Sequence, residues 1–417
     1  MKKLLPLIVF FIISCEQPPR ESVTENVKIG AELLIEKHLD ILRDKRVGVI
    51  TNHTGLLPDG RHIVDIFHEH ESINLTVLFG PEHGIRGDAD RPVEHGKDPT
   101  TGLPVYSLYG DTRKPTAEML EHVDVLIFDI QDVGARFYTY ISTMNNAMEA
   151  AAELGKEFIV LDRPNPITGT YVDGNILEEE HRSFVGIQPI PVAHGMTVGE
   201  LATMFNDERW LENDVRADLR VVQMENYSRT MWYDETGLPW IKPSPNMLTL
   251  NTAIVYPATC FLEGTNVSEG RGTGHPFEWF GAPWIDAEIL VHTLNGYELP
   301  GVIFDPVSYL PVDIVDGIQI HPPKFMGETC YGAAMRITDR DAFQSVRTGV
   351  YILYTLRWIY RDEFEFRDNR MDRLWGSDRI RLSIEEGNDP AEIIGEWQEE
   401  FDKFLSIREK YLLYNLY

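Results

Sequence analysis

The chain has 417 residues, of which 43% are hydrophobic, 11% aromatic and 25% charged, the composition of a folded protein too long for one ordinary core. Its formal charge of -28 repels phosphate backbones, which argues against nucleic acid as a partner; an anionic ligand would need a local arginine cluster inside that acidic field. Cys-x-x-Cys and zinc-ribbon spacings are both missing, so no metal and no cofactor are expected.

At the N-terminus Lys2 and Lys3 precede an apolar run over 4–13, and Ile12-Ile13-Ser14-Cys15 reads as a lipobox. The run is too short to span a bilayer comfortably. This pattern predicts a lipoprotein signal peptide over 1–14, lipidation of Cys15, and an exported protein held to the membrane, at its periplasmic face, by the lipid anchor only. A polar tether over 15–28 follows, with Pro18 and Pro19. Cys260 and Cys330 would remain in the mature chain, and the sequence leaves their pairing open.

From residue 29 onward helix-like and strand-like segments alternate. Residues 31–43 carry apolar positions at helical spacing, and 47–50 form a short apolar run. Residues 75–79, 123–128 and 158–161 are further continuous apolar runs, as expected for strands covered on both faces. A helix is predicted over 139–154, another opens at Thr197 with Glu200 three residues on, and a strand is predicted over 217–224. This rhythm specifies an α/β fold, a Rossmann-like doubly wound parallel sheet over 29–254. Pro243, Pro245 and Pro257 then punctuate the chain, and strands at 317–320 and 333–337 with helices at 342–360 and 393–411 predict a smaller α+β domain over 255–417.

Each apolar run ends in a chemically rich cluster, and in an open parallel sheet those clusters converge at the carboxyl ends of the strands. His53 follows the first run. Gly80-Pro81-Glu82-His83-Gly84 follows the second, placing Glu82 on a constrained turn where partial burial would favour its protonated form, as a general acid needs. His83 could tune Glu82 or ligate a metal, although a hydrogen-bonded structural role is the commoner fate of such a residue. His53, His83, Asp129 and Asp132 could in principle form a mixed metal site, but dense ligand spacing is missing.

The third cluster and the helix entry after it carry Asp129, Gln131, Asp132, Arg136, Tyr138 and Tyr140, a mixture of aromatic faces and polar groups that suits a carbohydrate. Each aromatic taken singly could equally be core. Arg163 stands in the fourth cluster. Beyond it, Asn246 lies in Pro-Ser-Pro-Asn-Met, and the loop over 262–277 holds Glu263, Asn266, Glu269 and Arg271. Its glycines do not join a strand to a helix and no Gly-Lys-Ser/Thr follows, so a nucleotide role is rejected. With no Gly-x-Ser-x-Gly elbow and no Ser-x-x-Lys, carboxylate chemistry is the leading class.

Taken together, GPEHGIRGDA from Gly80, TGLPVYSLYG from Thr101, DVLIFDIQDVGARFYTYI from Asp124, LDRPNPI from Leu161, PIPVAHGMTVGEL from Pro189, DETGLPW from Asp234, PSPNM from Pro243 and EGTNVSEGRGT from Glu263 resemble one known family. It is the exo-acting N-acetylmuramidases called NamZ, glycoside hydrolase family 171, formerly a domain of unknown function. The resemblance implies a Rossmann-like domain without a nucleotide, a smaller C-terminal domain and an active cleft between them. It also implies release of N-acetylmuramic acid from the non-reducing ends of peptidoglycan fragments, so the expected partners are peptidoglycan-derived saccharides. Glu82 carries over as the catalytic glutamate, with Glu263, Glu269 and Asp129, in that order, as candidates for a second carboxylate. The muramic lactyl group is an anion that Arg86, Arg136, Arg163 or Arg271 should grip, Arg136 and Arg271 foremost. The segment 88–98 departs from the family pattern, and the last third of the chain matches loosely. Two readings of other classes stay open here: a wall-sugar-binding lipoprotein without turnover, and a metal-dependent hydrolase.

Overall fold

The computed structural model describes residues 26–82, 84–87, 95–315, 318–319 and 321–416. The expected leader, Cys15, most of the tether and His83 lie outside the described residues. The first part of the chain runs through helix α1 (Gly30–Lys37), strand β1 (Arg46–Thr51), helix α2 (Ile63–Glu69), strands β2 (Asn74–Gly80), β3 (Gly96–Lys97), β4 (Pro104–Ser107) and β5 (Val125–Asp129), helix α3 (Tyr140–Glu153), strand β6 (Glu157–Leu161), helix α4 (Val198–Asp207) and strand β7 (Asp218–Val222).

These strands form one sheet in the order β3-β4-β2-β1-β5-β6-β7. All pairs are parallel except the edge pair β3 and β4. The apolar runs explain the centre of the sheet: every residue of β5 is buried, and so is all of β1 after Arg46. Leu126 and Phe128 turn to a core shared with α3 and α4, while Val125 and Ile127 turn to one shared with α1 and α2. Consecutive strand residues point to opposite faces, so only an uninterrupted apolar run satisfies both layers. The capping box expected at α4 is present, with Thr197 Oγ1 accepting from the Glu200 amide and Glu200 Oε2 accepting from the Thr197 amide.

The second part comprises helix α5 (Leu250–Thr259), strand β8 (Trp279–Ala282), helix α6 (Ala287–Asn295), strands β9 (Val302–Tyr309), β10 (Ile314–Val315), β11 (Ile318–Gln319) and β12 (Cys330–Ile337), and helices α7 (Ser345–Ile359), α8 (Asp368–Trp375), α9 (Arg379–Glu386), α10 (Pro390–Gly395) and α11 (Gln398–Arg408). Strands β8, β12 and β9 make an antiparallel sheet, against which α6 packs, and α5 and α7 pack on each other. A single apolar cluster joins Phe280, Phe304, Leu353 and Trp375 of this part to Val133, Phe137, Val192 and Trp232 of the first. The two parts therefore share a core and cannot slide freely.

Several expectations change in detail. The helix expected over 31–43 stops at Lys37 and continues as a 3₁₀ turn, Leu39–Leu42. Of the strand expected over 317–320, Ile318 and Gln319 are described, paired with β10. The helix expected over 393–411 is divided into α10, α11 and the 3₁₀ turn Glu409–Tyr411. Pro257, read as punctuation, sits inside α5.

The end of the chain then leaves the second part. Phe404 enters the core of the parallel-sheet unit, Leu413 donates its amide to Glu200 Oε1 at 2.8 Å, and Tyr414 Oη donates to Asp162 Oδ2 at 2.6 Å. Cys260 and Cys330 are separate, buried, free thiols.

Candidate active site

Strand β2 delivers the chain to the carboxyl edge of the sheet, where the Gly84 amide donates to the Pro81 carbonyl at 3.0 Å and closes a tight turn. Glu82 stands inside that turn, half-buried. Its carboxylate accepts from Thr139 Oγ1 at 3.3 Å, at the entry to α3, and shares the cavity with the phenol of Tyr109, which follows β4. Burial and the nearby Glu82 carboxylate push the Tyr109 phenol well above its ordinary pKa, so it remains a donor.

A second wall comes from the other part of the chain. Helix α5 gives way to the 3₁₀ turn Cys260–Gly264, which carries Glu263. A Cβ on Gly264 would lie 2.8 Å from the Cα of Met371, so only glycine lets this turn meet α8. The Arg367 amide donates to the Gly264 carbonyl at 2.7 Å and fastens the contact. Farther along, Gly272 adopts a φ of 82°, and its carbonyl accepts from the Val312 amide at 3.0 Å, tying the loop to the segment before β10.

Charge is arranged unevenly across this wall. Glu263 is paired with Arg271 at 2.7 Å and with Arg370. Burial opposes its ionisation, but the two guanidinium groups outweigh that and hold its carboxyl well below the usual range. Glu269 is paired with Lys324 at 2.9 Å and Arg271 at 3.4 Å. The Lys324 ammonium also donates to the carbonyls of Leu262 and Val267, at 2.6 and 2.7 Å, so its three protons are used. Burial lowers its pKa, against the pull of Glu269. Arg271 lies over the Phe277 ring at 5.2 Å.

Between these walls lies a cavity of about 560 Å³. Glu82 and Tyr109 line it from the parallel-sheet unit; Glu263, Glu269, Arg271 and Lys324 line it from the second part, with Arg367 and Arg370 at the start of α8. The volume falls in the range of small-molecule sites. Three carboxylates share the space, and they differ in kind. Two are matched to cations, while Glu82, among the described residues, has a hydroxyl donor and no cation in ion-pair range. A carboxylate balanced by two guanidinium groups keeps no proton near neutral pH.

Several residues expected at the site have other work. Asp129 is fully buried, gripped by Arg163 through two bonds of 2.6 and 3.0 Å, and neither lines this cavity. Arg136 is fully buried and donates to the carbonyls of Asn175, Ile190, Leu374 and Trp375, bracing the two parts of the chain. It therefore does not grip a saccharide anion. Arg86 is committed to Asp65 and Asp98.

His53 Nε2 meets the Lys242 carbonyl at 2.6 Å. Gln131 donates to the carbonyls of Asp132 and Pro164, and Asp132 accepts from the Gly134 amide. Asn266 bonds to the backbone of Glu363 and Glu365, Asn246 is buried in a turn, and Tyr138 packs edge-on against Tyr140 and Tyr256. His53, Asp129 and Asp132 are thus held by different partners. Among the described residues the side chains close enough to share a cation are Glu178, His181 and Asp378, away from this cavity, with Glu178 already paired to Arg379.

Sequence reasoning missed Tyr109, Thr139, Lys324, Arg367 and Arg370. The two arginines had a readable signal, since Arg367, Arg370 and Arg373 recur at threefold spacing in a segment flanked by Phe366 and Trp375. Tyr109 and Lys324 had none of that kind.

Comparison with known proteins gives the family. Residues 47–251 match the family description "Exo-beta-N-acetylmuramidase NamZ, N-terminal", and residues 254–414 match "Exo-beta-N-acetylmuramidase NamZ, C-terminal". The chain is 48% identical over 391 residues to the peptidoglycan beta-N-acetylmuramidase NamZ of Bacillus subtilis (strain 168), covering 93% of this chain and 91% of that one. Two crystal structures of DUF1343 family proteins from Bacteroides fragilis NCTC 9343 superpose with TM-scores of 0.86 and 0.76. They are 41% and 34% identical, and each comparison covers 94% of this chain and 99% of the other.

Proposed function

This chain belongs to the NamZ family of exo-beta-N-acetylmuramidases, and from that membership we propose that it releases N-acetylmuramic acid from the non-reducing ends of peptidoglycan fragments with Glu82 as the proton donor. It is a glycosidase. One observation supports the assignment of Glu82 above the other carboxylates. It is the cavity carboxylate that, among the described residues, accepts from a hydroxyl group and has no cation in ion-pair range, while Glu263 and Glu269 are paired with fixed cations.

In this reading Glu82 protonates the departing glycosidic oxygen. Glu263, kept ionised by Arg271 and Arg370, is the second carboxylate: as the glycosidic bond breaks it either takes a proton from the water that adds to the anomeric carbon, or bonds to that carbon itself and is displaced by water in the following step. Thr139 holds the Glu82 carboxyl in place, and Tyr109 lines the cavity beside it. Wild-type protein and Glu82→Gln are to be compared on a chromogenic β-N-acetylmuraminide. Full activity in the variant would overturn the acid assignment, and loss of activity on chelation with recovery on adding metal would replace this mechanism with a metal-dependent one.

We also propose that the protein is exported and anchored through a lipid on Cys15, as the lipobox implies. Cys15→Ala should move it from the membrane fraction to the soluble fraction; retention in the membrane would exclude the lipid as the anchor.

A further inference from the structure

The cavity inverts the charge of the molecule around it. In a chain of formal charge -28 its wall presents four cations, Arg271, Lys324, Arg367 and Arg370, against three carboxylates, Glu82, Glu263 and Glu269. Most of this positive charge is spent internally. Arg271 serves Glu263 and Glu269, and Lys324 serves Glu269 and two carbonyls. Arg370 gives one end of its guanidinium to Glu263 and leaves 60% of its side chain exposed. Arg367 is different: it is exposed, lines the cavity, and has no carboxylate in ion-pair range among the described residues.

Arg367 is nonetheless held in position. It is the residue that opens α8, and its amide is bonded to the Gly264 carbonyl beside Glu263. Arg367, the residue just before the first turn of that helix, and Arg370, within that turn, both line the cavity. Arg367 and Lys324 line the same cavity. A guanidinium whose backbone is tied to the cavity wall, and which has no carboxylate in ion-pair range among the described residues, suits a planar anion.

We propose that Arg367, assisted by the open side of Arg370, receives the carboxylate carried by the substrate's terminal sugar, and that this pair sets the preference for an acidic amino sugar over a neutral one. The proposal rests on the muramidase reading above and deepens it, moving the anion contact away from Arg136 and Arg271. Arg271 is consumed by its two glutamates; Arg136 is consumed by four carbonyls.

The test compares full-length wild type, Arg367→Met and Arg367→Lys on two chromogenic β-muraminides, one with the free lactyl carboxylate and one with the isosteric primary amide. Wild type should prefer the acid. Arg367→Met should lose roughly ten- to a hundredfold in kcat/KM on the acid, mostly through KM, as expected when a charge-assisted bond is removed from binding. On the amide it should stay within about threefold of wild type, and Arg367→Lys should recover part of the loss on the acid. Equal losses on both substrates, or no loss on either, would overturn the proposal while leaving the muramidase reading intact. A wild-type protein inactive on both would sink the reading and the proposal with it.

Discussion

Two arginine-carboxylate assemblies sit at the ends of this molecule's structural elements, and they look alike in a list of residues. Asp129, the last residue of β5, and Arg163, from the loop after β6, form a sealed pair with side chains 0% and 5% exposed. Glu263, Glu269, Arg271, Lys324 and Arg370 form an assembly open on one side to the cavity. The sealed pair is balanced in charge, and Arg163 also donates to the Leu56 carbonyl. The open assembly keeps a cationic surplus. Burial and ion pairing therefore do not mark a functional site by themselves; the unbalanced remainder facing a void does.

The sharpest way to break the comparison lies outside both assemblies. Glu82→Gln should lower kcat by roughly 10²- to 10⁴-fold, the usual contribution of a positioned general acid, with unfolding midpoints nearly unchanged. Steady-state kinetics beside a urea titration separates those two quantities. A variant that loses stability and activity together would show that Glu82 is structural.

Next comes the sealed pair. Asp129→Asn or Arg163→Met leaves a buried charge without its partner, which costs about 3 to 5 kcal/mol. The effect should appear in the urea midpoint, while the molecules that remain folded keep kcat within a few-fold. A large loss of kcat in well-folded protein would return Asp129 to the catalytic candidates.

Arg271→Met should act on both fronts, with a smaller stability cost of about 1 to 3 kcal/mol because the arginine is partly solvated. It also changes the acid limb. The folded-state carboxyl of Glu263 lies below its unfolded value, so its ionic contribution is fully present above the unfolded pKa, near 4.3, and fades as pH falls through the folded one. Wild type should therefore lose this contribution only in strong acid, and Arg271→Met should lose it at higher pH. Thermal melts between pH 6 and pH 2 check the sign, and coincident acid limbs would show that Arg271 does not set the charge of Glu263.

At the small end, Asp305→Asn deletes an exposed pair with Arg336 on the second sheet. It should change stability by less than about 1 kcal/mol and leave turnover alone.

Much of the first unit was legible from pattern alone. The runs containing Val47, Leu75, Leu126 and Phe158 announce buried parallel strands because both faces need apolar side chains. Thr197 and Glu200 announce a helix start because only that spacing closes the capping box. The edge strands β3 and β4 were missed, since Gly96 and Lys97 are exposed and only Ser107 of β4 is buried. Pro257 inside α5 misled because proline usually ends a helix. At the site, the turn holding Glu82 was readable as a local object, as was the density of charge from Glu263 to Arg271.

What the sequence determined by itself was local: the two-layered sheet, the helix start at Thr197, the glutamate on its turn and the membership that its long motifs imply. What only the tertiary structure decided was which charges are spent and which remain. Glu263 meets Arg370 across 107 positions, Glu269 meets Lys324 across 55, and Arg136 reaches carbonyls more than 230 positions away. Electrostatic partners are chosen by proximity in space, and no periodicity along the chain encodes it. Hence Arg136 and Arg271 read as ligand-binding residues and proved to be occupied, while Arg367, unremarked in the sequence, is the cation at the cavity for which no carboxylate is found among the described residues.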